Sequence, residues 1–457
     1  MADPIPPQSD PSWRGHIRAT LRLGLPLIGS QLAFIGLGVT DTIMLGWLGA
    51  APLAAGVLAT QFLFLVMITG SGMANAVSPI VANALGAGDQ RAVRRSVRMS
   101  LWGSVIYCLF AVWPLWFAED LFLMLGQDPE LAKAGESYLR IAVFSLPVAL
   151  FHNSIRSYLT ALEYAGIVLW ATVVGLILNA FINYAFIFGN FGAPALGIRG
   201  AAVATLTTSV VMLVIMTVYA VTRSELKEYE ILNRIWQPDW SALGEVFRLG
   251  WPISLTLLAE ISLFSISSIM MGWIGVIALA AHGIALQVIS VLFMIPLGLT
   301  FAATVRVGRA VGRQDALGLY RASVTVTAMA TIIALLSAVL LLVVPEPLIE
   351  LFLDADNPDA LEIVSIGVPL LAVAAAFQVA DTLQVIAAGL LRGLKDTKIP
   401  MYMAIVSYLV VGITVAYVLA FPMGLEGPGV WAGLAIGLTL AAGLMGGRYI
   451  KLMRGVV

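Results

Sequence analysis

One stretch of this chain occurs twice. Arg22–Gly49 reads RLGLPLIGSQLAFIGLGVTDTIMLGWLG, and 226 positions later Arg248–Gly275 reads RLGWPISLTLLAEISLFSISSIMMGWIG. Both copies open RLGxP and close IMxGWxG without a gap, which shared apolar composition alone does not produce. Each is long enough for one membrane-crossing helix, and each carries a single carboxylate in its interior. The acids do not align with each other: Asp41 falls opposite Ser267, and Glu260 opposite Phe34. A duplicated frame with unmatched acids separates a structural repeat from candidate chemistry.

Hydrophobic residues make up 60% of the chain and charged residues 11%. With a mean hydropathy of +0.96, this is more apolar surface than a water-soluble domain can bury, so the expected partner is the lipid bilayer. The near-zero net charge gives no reason to expect nucleic acid. A lone cysteine, Cys108, excludes a disulfide framework, and His16, His152 and His282 lack metal-ligand spacing. No cofactor and no enzymatic site are expected.

Apolar runs broken by Gly, Pro and charge clusters predict twelve transmembrane helices in two sets of six. The fourth is expected at roughly 137–162. The predicted organisation is a flexible cytoplasmic tail over residues 1–19, an N-terminal six-helix lobe over 20–222, a cytoplasmic linker over 223–246 and a C-terminal six-helix lobe over 247–457. Lys and Arg collect on one side of this topology, from Arg14, Arg18 and Arg22 to Arg448, Lys451 and Arg454, with Lys133, Arg140 and Arg199 opposite. The opposite side carries acids, among them Glu119, Asp120, Asp354 and Asp356. The positive-inside rule then places both termini in the cytoplasm of a multi-pass plasma-membrane protein. An even number of spans per half gives the halves the same direction, related by an axis along the membrane normal.

Three acids lie inside spans: Asp41, Glu260 and Asp381. At 1.5 Å per residue, Asp41 is about 9 Å from Trp47, Glu260 about 18 Å from Arg248 and Asp381 about 16 Å from Arg392. Each buried charge costs on the order of 3 kcal/mol by insertion scales, and no Lys or Arg is expected at matching depth. Such acids face a wet cavity, carry protons or bind cations. Gln378, Asp381 and Gln384 follow i, i+3, i+6; Thr256 and Glu260 are i, i+4, as are Asn179 and Asn183. Residues at these spacings share a helix face. Their amides can donate to a carboxylate or offer oxygen to a hard cation, or simply hold helices together. Glu260 and Asp381, both near mid-depth, are the candidate ligands of a sodium ion or the carriers of a shared proton. Pro26 and Pro252 read as early-turn prolines or hinges. Gly86-Ala87-Gly88-Asp89 reads as a turn with a helix N-cap. His152 and His282 read as buried hydrogen-bonding histidines.

These residues together resemble the multidrug and toxic compound extrusion (MATE) family, its NorM-like branch in particular, over nearly the whole chain. The likeness rests on Val39-Thr40-Asp41-Thr42, Leu258-Ala259-Glu260-Ile261, Asn179 with Asn183, and Asp381 before Gly389-Leu390-Leu391-Arg392-Gly393. It implies an all-α polytopic membrane protein with two pseudo-symmetric six-helix lobes around a central cavity. It also implies export of small-molecule organic cations and drugs by alternating access, in exchange for sodium ions or protons, by a monomer. By the same likeness Asp41, Asn179 and Asn183 form the first-lobe site and Glu260 with Asp381 the second. Where sodium-coupled relatives are expected to carry a tyrosine one turn before Asp381, this chain has Phe377.

The alternative is a flippase for lipid-linked saccharides on a related fold, which handles anionic pyrophosphate lipids with cavity arginines. An intramembrane aspartyl protease fits less well, because Gly36-Leu37-Gly38-Val39-Thr40 before Asp41 is not a GxGD arrangement. The absence of GxxxxGK[ST] argues against an ATP-driven pump.

Overall fold

The computed structural model describes residues 12–353 and 358–456; Asp354, Asp356 and most of the proposed N-terminal tail lie outside them. Among the described residues the regular structure is helical. The long helices are α1 (Trp13–Leu48), α2 (Ala50–Ala87), α3 (Gln90–Trp116), α4 (Pro129–Ala142), α5 (Ser145–Ala161), α6 (Ala165–Phe188) and α7 (Ile198–Thr222). The second series is α8 (Trp240–Ile274), α9 (Val276–Gly312), α10 (Ala316–Val343), α11 (Ala360–Gly393), α12 (Lys398–Ala420) and α13 (Glu426–Val456). Eleven of these are long and apolar enough to cross a membrane, and α4 with α5 makes a twelfth if the pair is one span.

Three expectations change. The first helix starts at Trp13, so residues 13–19 are helix and not tail. The single span expected over 137–162 is two helices bent by 50°. Its first piece, α4, carries Glu130, Lys133, Glu136 and Arg140, charges that a fully lipid-embedded turn would not tolerate. Pro26 and Pro252 lie in the interiors of α1 and α8, well past the first turn. Each therefore leaves the carbonyl four residues earlier, of Arg22 and of Arg248, without its helical donor.

The ends of the duplicated stretch have clear local roles. A single residue, Gly49, joins α1 to α2 with φ of 120°, and Gly275 alone joins α8 to α9. Gly88 turns in the left-handed region at φ 73°, and the Asp89 carboxylate then accepts from the Ala92 amide at 2.9 Å. Asp315, 226 positions on, caps α10 in the same way through Gly318 at 2.8 Å.

The chain folds into two compact units whose boundaries fall inside the repeated helices. One unit holds Gly29–Ser254; the other holds Leu255 onward together with the start of α1 through Ile28. So α1 begins in the second unit and ends in the first, and α8 does the reverse. Glycines make this exchange feasible. In the second unit a Cβ on Gly24 would sit 2.9 Å from Leu299, and one on Gly298 would sit 2.7 Å from the Ile28 nitrogen. In the first unit the repeat-related contacts recur: Gly250 against the Met73 backbone at 2.8 Å, and Gly72 against the Gly250 carbonyl at 2.1 Å. Ser254, the repeat partner of Ile28, adds polar bonds, donating to the Thr69 carbonyl at 2.7 Å and accepting from the Gly72 amide at 3.1 Å. The shared RLGxP opening thus encodes a close backbone crossing, as small residues do between membrane helices.

Within the first unit α2 packs on α3, α4 and α5, and α7 packs on α5 and α6. Within the second, α11 is the central helix, flanked by α9, α10 and α13. That position explains why polar side chains along α11 are buried in protein and not left in lipid.

Candidate functional site

The first unit gathers its polar groups around Asp41, which is half-buried on α1. From α6, Asn183 donates its Nδ2 to Asp41 Oδ1 at 2.5 Å, and Asn179 donates its own to the same oxygen at 3.2 Å. The two asparagines, one turn apart, also bond each other at 3.2 Å. Both are buried, so their amide dipoles have few other partners and are aimed by packing. The other carboxylate oxygen, Oδ2, faces the Thr205 hydroxyl of α7 at 3.5 Å, while Thr205 donates to the Ala201 carbonyl at 3.0 Å. Tyr138 of α4, buried beside Thr205, lies within electrostatic reach of Asp41. The i, i+4 pairing of Asn179 and Asn183 was legible in the sequence; Thr205 and Tyr138 were not, since neither carries a charge or a spacing signal.

Elsewhere in the same unit, Arg156 donates to Gln31 Oε1 at 2.6 Å. His152, one turn before Arg156, is buried, and its Nε2 has no hydrogen-bond partner among the described residues. This departs from the satisfied histidine the sequence suggested.

The second unit builds a different site. Asp381 is buried at the middle of α11, and Glu260 of α8, half-buried, lies within electrostatic reach of it. The arginine of the Gly389-Leu390-Leu391-Arg392-Gly393 run reaches the same neighbourhood: Arg392 interacts electrostatically with Glu260. This corrects the expectation that no basic residue approaches the span acids. An arginine side chain extends well beyond its own helical turn, and counting depth by Cα missed it. With both acids ionised, two carboxylates and one guanidinium leave this cluster one positive charge short.

The same motif also fixes α11 in place. Thr300 donates to the Val385 carbonyl at 2.8 Å and Thr304 to that of Gly389 at 2.9 Å. Cβ atoms at Gly389 and Gly393 would meet Thr300 and Val307 of α9 at 3.0 and 2.7 Å. The two glycines therefore let α9 approach the backbone of the helix that carries Asp381.

Polar groups around Asp381 are buried and largely unmatched. Gln378 Oε1 and Nε2, Asp381 Oδ1, Thr382 Oγ1 and Gln384 Oε1 have no hydrogen-bond partner among the described residues. Gln384 turns its Nε2 toward Met445 of α13 at 3.8 Å, so it points to a different neighbour from the acid. Thr256 is buried one turn before Glu260. Buried polar atoms are rarely left this way without a ligand-binding or mechanistic reason.

Phe377, one turn before Asp381, belongs to an aromatic cluster and contributes no oxygen. Its ring lies edge-on to Phe264 at 6.0 Å and to Trp431 at 5.3 Å. The Trp431 indole N–H donates to His282 Nδ1 at 3.1 Å, which requires that nitrogen to be unprotonated. His282 Nε2 then donates to the Ser268 hydroxyl at 3.1 Å, and Ser268 donates to the Phe264 carbonyl at 3.0 Å. His282 is fully buried and holds one tautomer, a satisfied structural histidine as the sequence suggested.

The fold defines a polytopic membrane protein of two repeated helical units, each with polar groups gathered around an acid on a span-length helix. The family model MatE matches the chain twice, over residues 26–185 and 252–418. The two matches start at the paired prolines of the duplicated stretch. The chain belongs to the multidrug and toxic compound extrusion family of membrane transporters, and is not an enzyme. It is 48% identical to the probable multidrug resistance protein NorM of Rhizobium meliloti strain 1021, over 98% of this chain and 96% of the relative. To the protein of the same name from Agrobacterium fabrum strain C58 it is 47% identical, over 99% and 97%. Among solved structures, an outward-facing multidrug resistance MATE family transporter of the MOP superfamily superposes with a TM-score of 0.87 at 22% identity, over 96% of each chain. A eukaryotic MATE transporter superposes at 0.86 with 18% identity, over 97% and 98%. These structural matches establish the fold.

Proposed function

We propose that this protein is a secondary active antiporter that exports cationic organic compounds and drugs in exchange for sodium ions or protons. In the orientation given by its Lys and Arg, both termini are cytoplasmic and the chain works as a monomer in the bacterial inner membrane. The observation that carries the reading is the charge left over at the second-unit site: Glu260 and Asp381 against Arg392 alone. Two like charges in a low dielectric repel, and a monovalent cation or a proton relieves the repulsion. Such a site takes one charge at a time, from the ion or from a cationic substrate. A ligand shifts a conformational equilibrium only through differential affinity for the two states, so ion and drug must favour different conformations of the protein. Asp41, with Asn179 and Asn183 donating to it, is the second place where a cation can be held. Gln378, Gln384 and Thr256 line the helices that carry the acids.

The relatives named above are called multidrug resistance proteins, which supports the substrate class. The saccharide-lipid flippase remains the alternative, and it needs free guanidinium groups to take a pyrophosphate. Here Arg156 is engaged by Gln31 and Arg392 by Glu260, which speaks for cations over anions. The deciding experiment is dye export from proteoliposomes under separately imposed sodium and pH gradients. Monovalent cationic dyes should be exported faster than matched neutral analogues, with anions slowest. Equal export of cations and anions of the same size would overturn this reading.

A further inference from the structure

The fifth helix of the second unit carries a group that nothing above has used. Between Lys398 and Ala420, α12 contains a π-helical stretch, Val406–Gly412. A π turn inserts an extra residue into the helix, rotates the side chains that follow and occurs frequently at functional sites. Two buried hydroxyls fall inside it, Ser407 and Tyr408, and neither has a hydrogen-bond partner among the described residues. Tyrosine hydroxyls usually find a partner when buried. Tyr408 is completely buried, and charged groups from the neighbouring helices lie within its electrostatic reach: Glu260 of α8, and Asp381 and Arg392 of α11.

Packing holds the π turn where it is. A Cβ on Gly437 of α13 would lie 2.8 Å from the Ser407 carbonyl and 2.9 Å from the Gly412 Cα, so the two backbones touch. A Cβ on Gly412 would lie 3.5 Å from Leu263 of α8, the helix of Glu260. The hydroxyl thus cannot be moved to another partner without separating helices in direct contact. Phe377, the aromatic residue on α11 nearest in sequence to Asp381, offers the site no oxygen.

We propose that the Tyr408 hydroxyl, delivered by the π turn of α12, is a direct oxygen partner of the single monovalent cation, sodium ion or proton, taken up between Glu260 and Asp381. This rests on the antiport reading of the acid pair and adds to it a third, uncharged oxygen from a helix that carries no acid. A neutral phenol completes the coordination of a hard monovalent ion without overfilling the one-charge deficit, or shares a proton with a carboxylate.

The test is thermal unfolding of the purified full-length protein in detergent, wild type against Tyr408→Phe, with Glu260→Gln and Asp381→Asn alongside. One arm titrates sodium chloride at constant ionic strength with choline chloride; the other titrates pH without sodium. Ligand that binds the folded state raises the melting temperature by mass action. Wild type should be stabilised in one arm, and Tyr408→Phe should need about tenfold more of that ion for half the effect, as expected for losing one bond to a charged group. Without ion, Tyr408→Phe should melt no lower than wild type, because it removes an unmatched buried hydroxyl and keeps the ring. An unchanged ion midpoint in Tyr408→Phe, or a lower melting temperature without ion, overturns the proposal. If the acid variants lose the ion response while Tyr408→Phe keeps it, Tyr408 falls and the acid-pair reading stands. If wild type responds to neither ion, both fall together.

Discussion

Asn183 and Asp41 are 142 residues apart in sequence and 2.5 Å apart in space, amide nitrogen to carboxylate oxygen, bridging α6 and α1. The bond is the shortest of the contacts around Asp41, and Asn179 shares the same acceptor at 3.2 Å. A charge-assisted bond between a buried amide and a half-buried carboxylate contributes roughly 1.5–3 kcal/mol and costs at least as much to leave unmade.

The Asn183 bond gives the first prediction. Asn183→Ala should lower drug efflux about tenfold or more at normal expression, to the level of Asp41→Asn, because the first removes the donor of this bond and the second removes the charge that strengthens it. Combining Asn179→Ala with Asn183→Ala should add little beyond the stronger single change. Efflux of a cationic dye from cells, corrected for membrane protein level, is the measurement. Wild-type efflux in Asn183→Ala would reduce the pair to helix glue.

The second-unit acids should act as one unit. Glu260→Gln, Asp381→Asn and the double variant are expected to lose gradient-driven efflux to similar extents, since on the proposed reading removing either charge abolishes the deficit that attracts the cation. Proteoliposomes with imposed sodium or pH gradients read this directly. Additive losses, or efflux that survives in the double variant, would count against a shared site.

The glycine crossings make a stability prediction with an internal control. Gly72→Ala places a Cβ 2.1 Å from the Gly250 carbonyl, and Gly298→Ala places one 2.7 Å from the Ile28 nitrogen. Backbone cannot yield as a flexible side chain can, so each should cost about 1–3 kcal/mol or more. Gly443→Ala meets nothing within 4 Å and should melt like wild type. Melting curves in detergent compare the three; a normal melting temperature in Gly72→Ala would refute the close crossing.

A pH prediction concerns the segment just before α8, outside the spans. Arg95 donates to Asp239 and holds its carboxyl below the ordinary carboxylate range. A depressed folded pKa means the pair stabilises the fold above the unfolded value near 4 and loses that contribution as pH falls through the lower folded value. Both side chains are partly exposed, so the effect is at most about 1 kcal/mol. Asp239→Asn should therefore lower the melting temperature slightly and equally from pH 5 to 8, with the difference from wild type vanishing in acid. A difference that changes within pH 5–8 would assign the titration to another group.

Much of this protein was readable before any folding. Apolar runs long enough to cross a bilayer place helices in lipid because transfer free energy accumulates along local sequence, with little dependence on tertiary contacts. The duplicated frame, the Asp89 N-cap and the Asn179–Asn183 face are likewise local facts, set by residue spacing on one helix. The three acids stood out because a charge in an apolar run is costly wherever the helix is placed.

What the tertiary structure alone decided is which helix faces meet. Nothing in the run of residues says that α1 and α8 exchange their ends between the units; that depends on close approaches far apart in sequence, Gly24 against Leu299, Gly298 against Ile28, and Gly72 against Gly250. The break between α4 and α5 was hidden because the apolar end of α4 runs on into α5, and the two qualify as a span only together. Arg392 looked like an ordinary residue at a helix end until its reach to Glu260 was known. Tyr408 carried no signal at all, since one tyrosine in an apolar helix reads as lipid or core. Its approach to the acids depends on a π turn and on the rotation of α12 against α8, α11 and α13. Rotations of that kind are settled by packing, where small steric differences between whole helices outweigh any preference of a single residue.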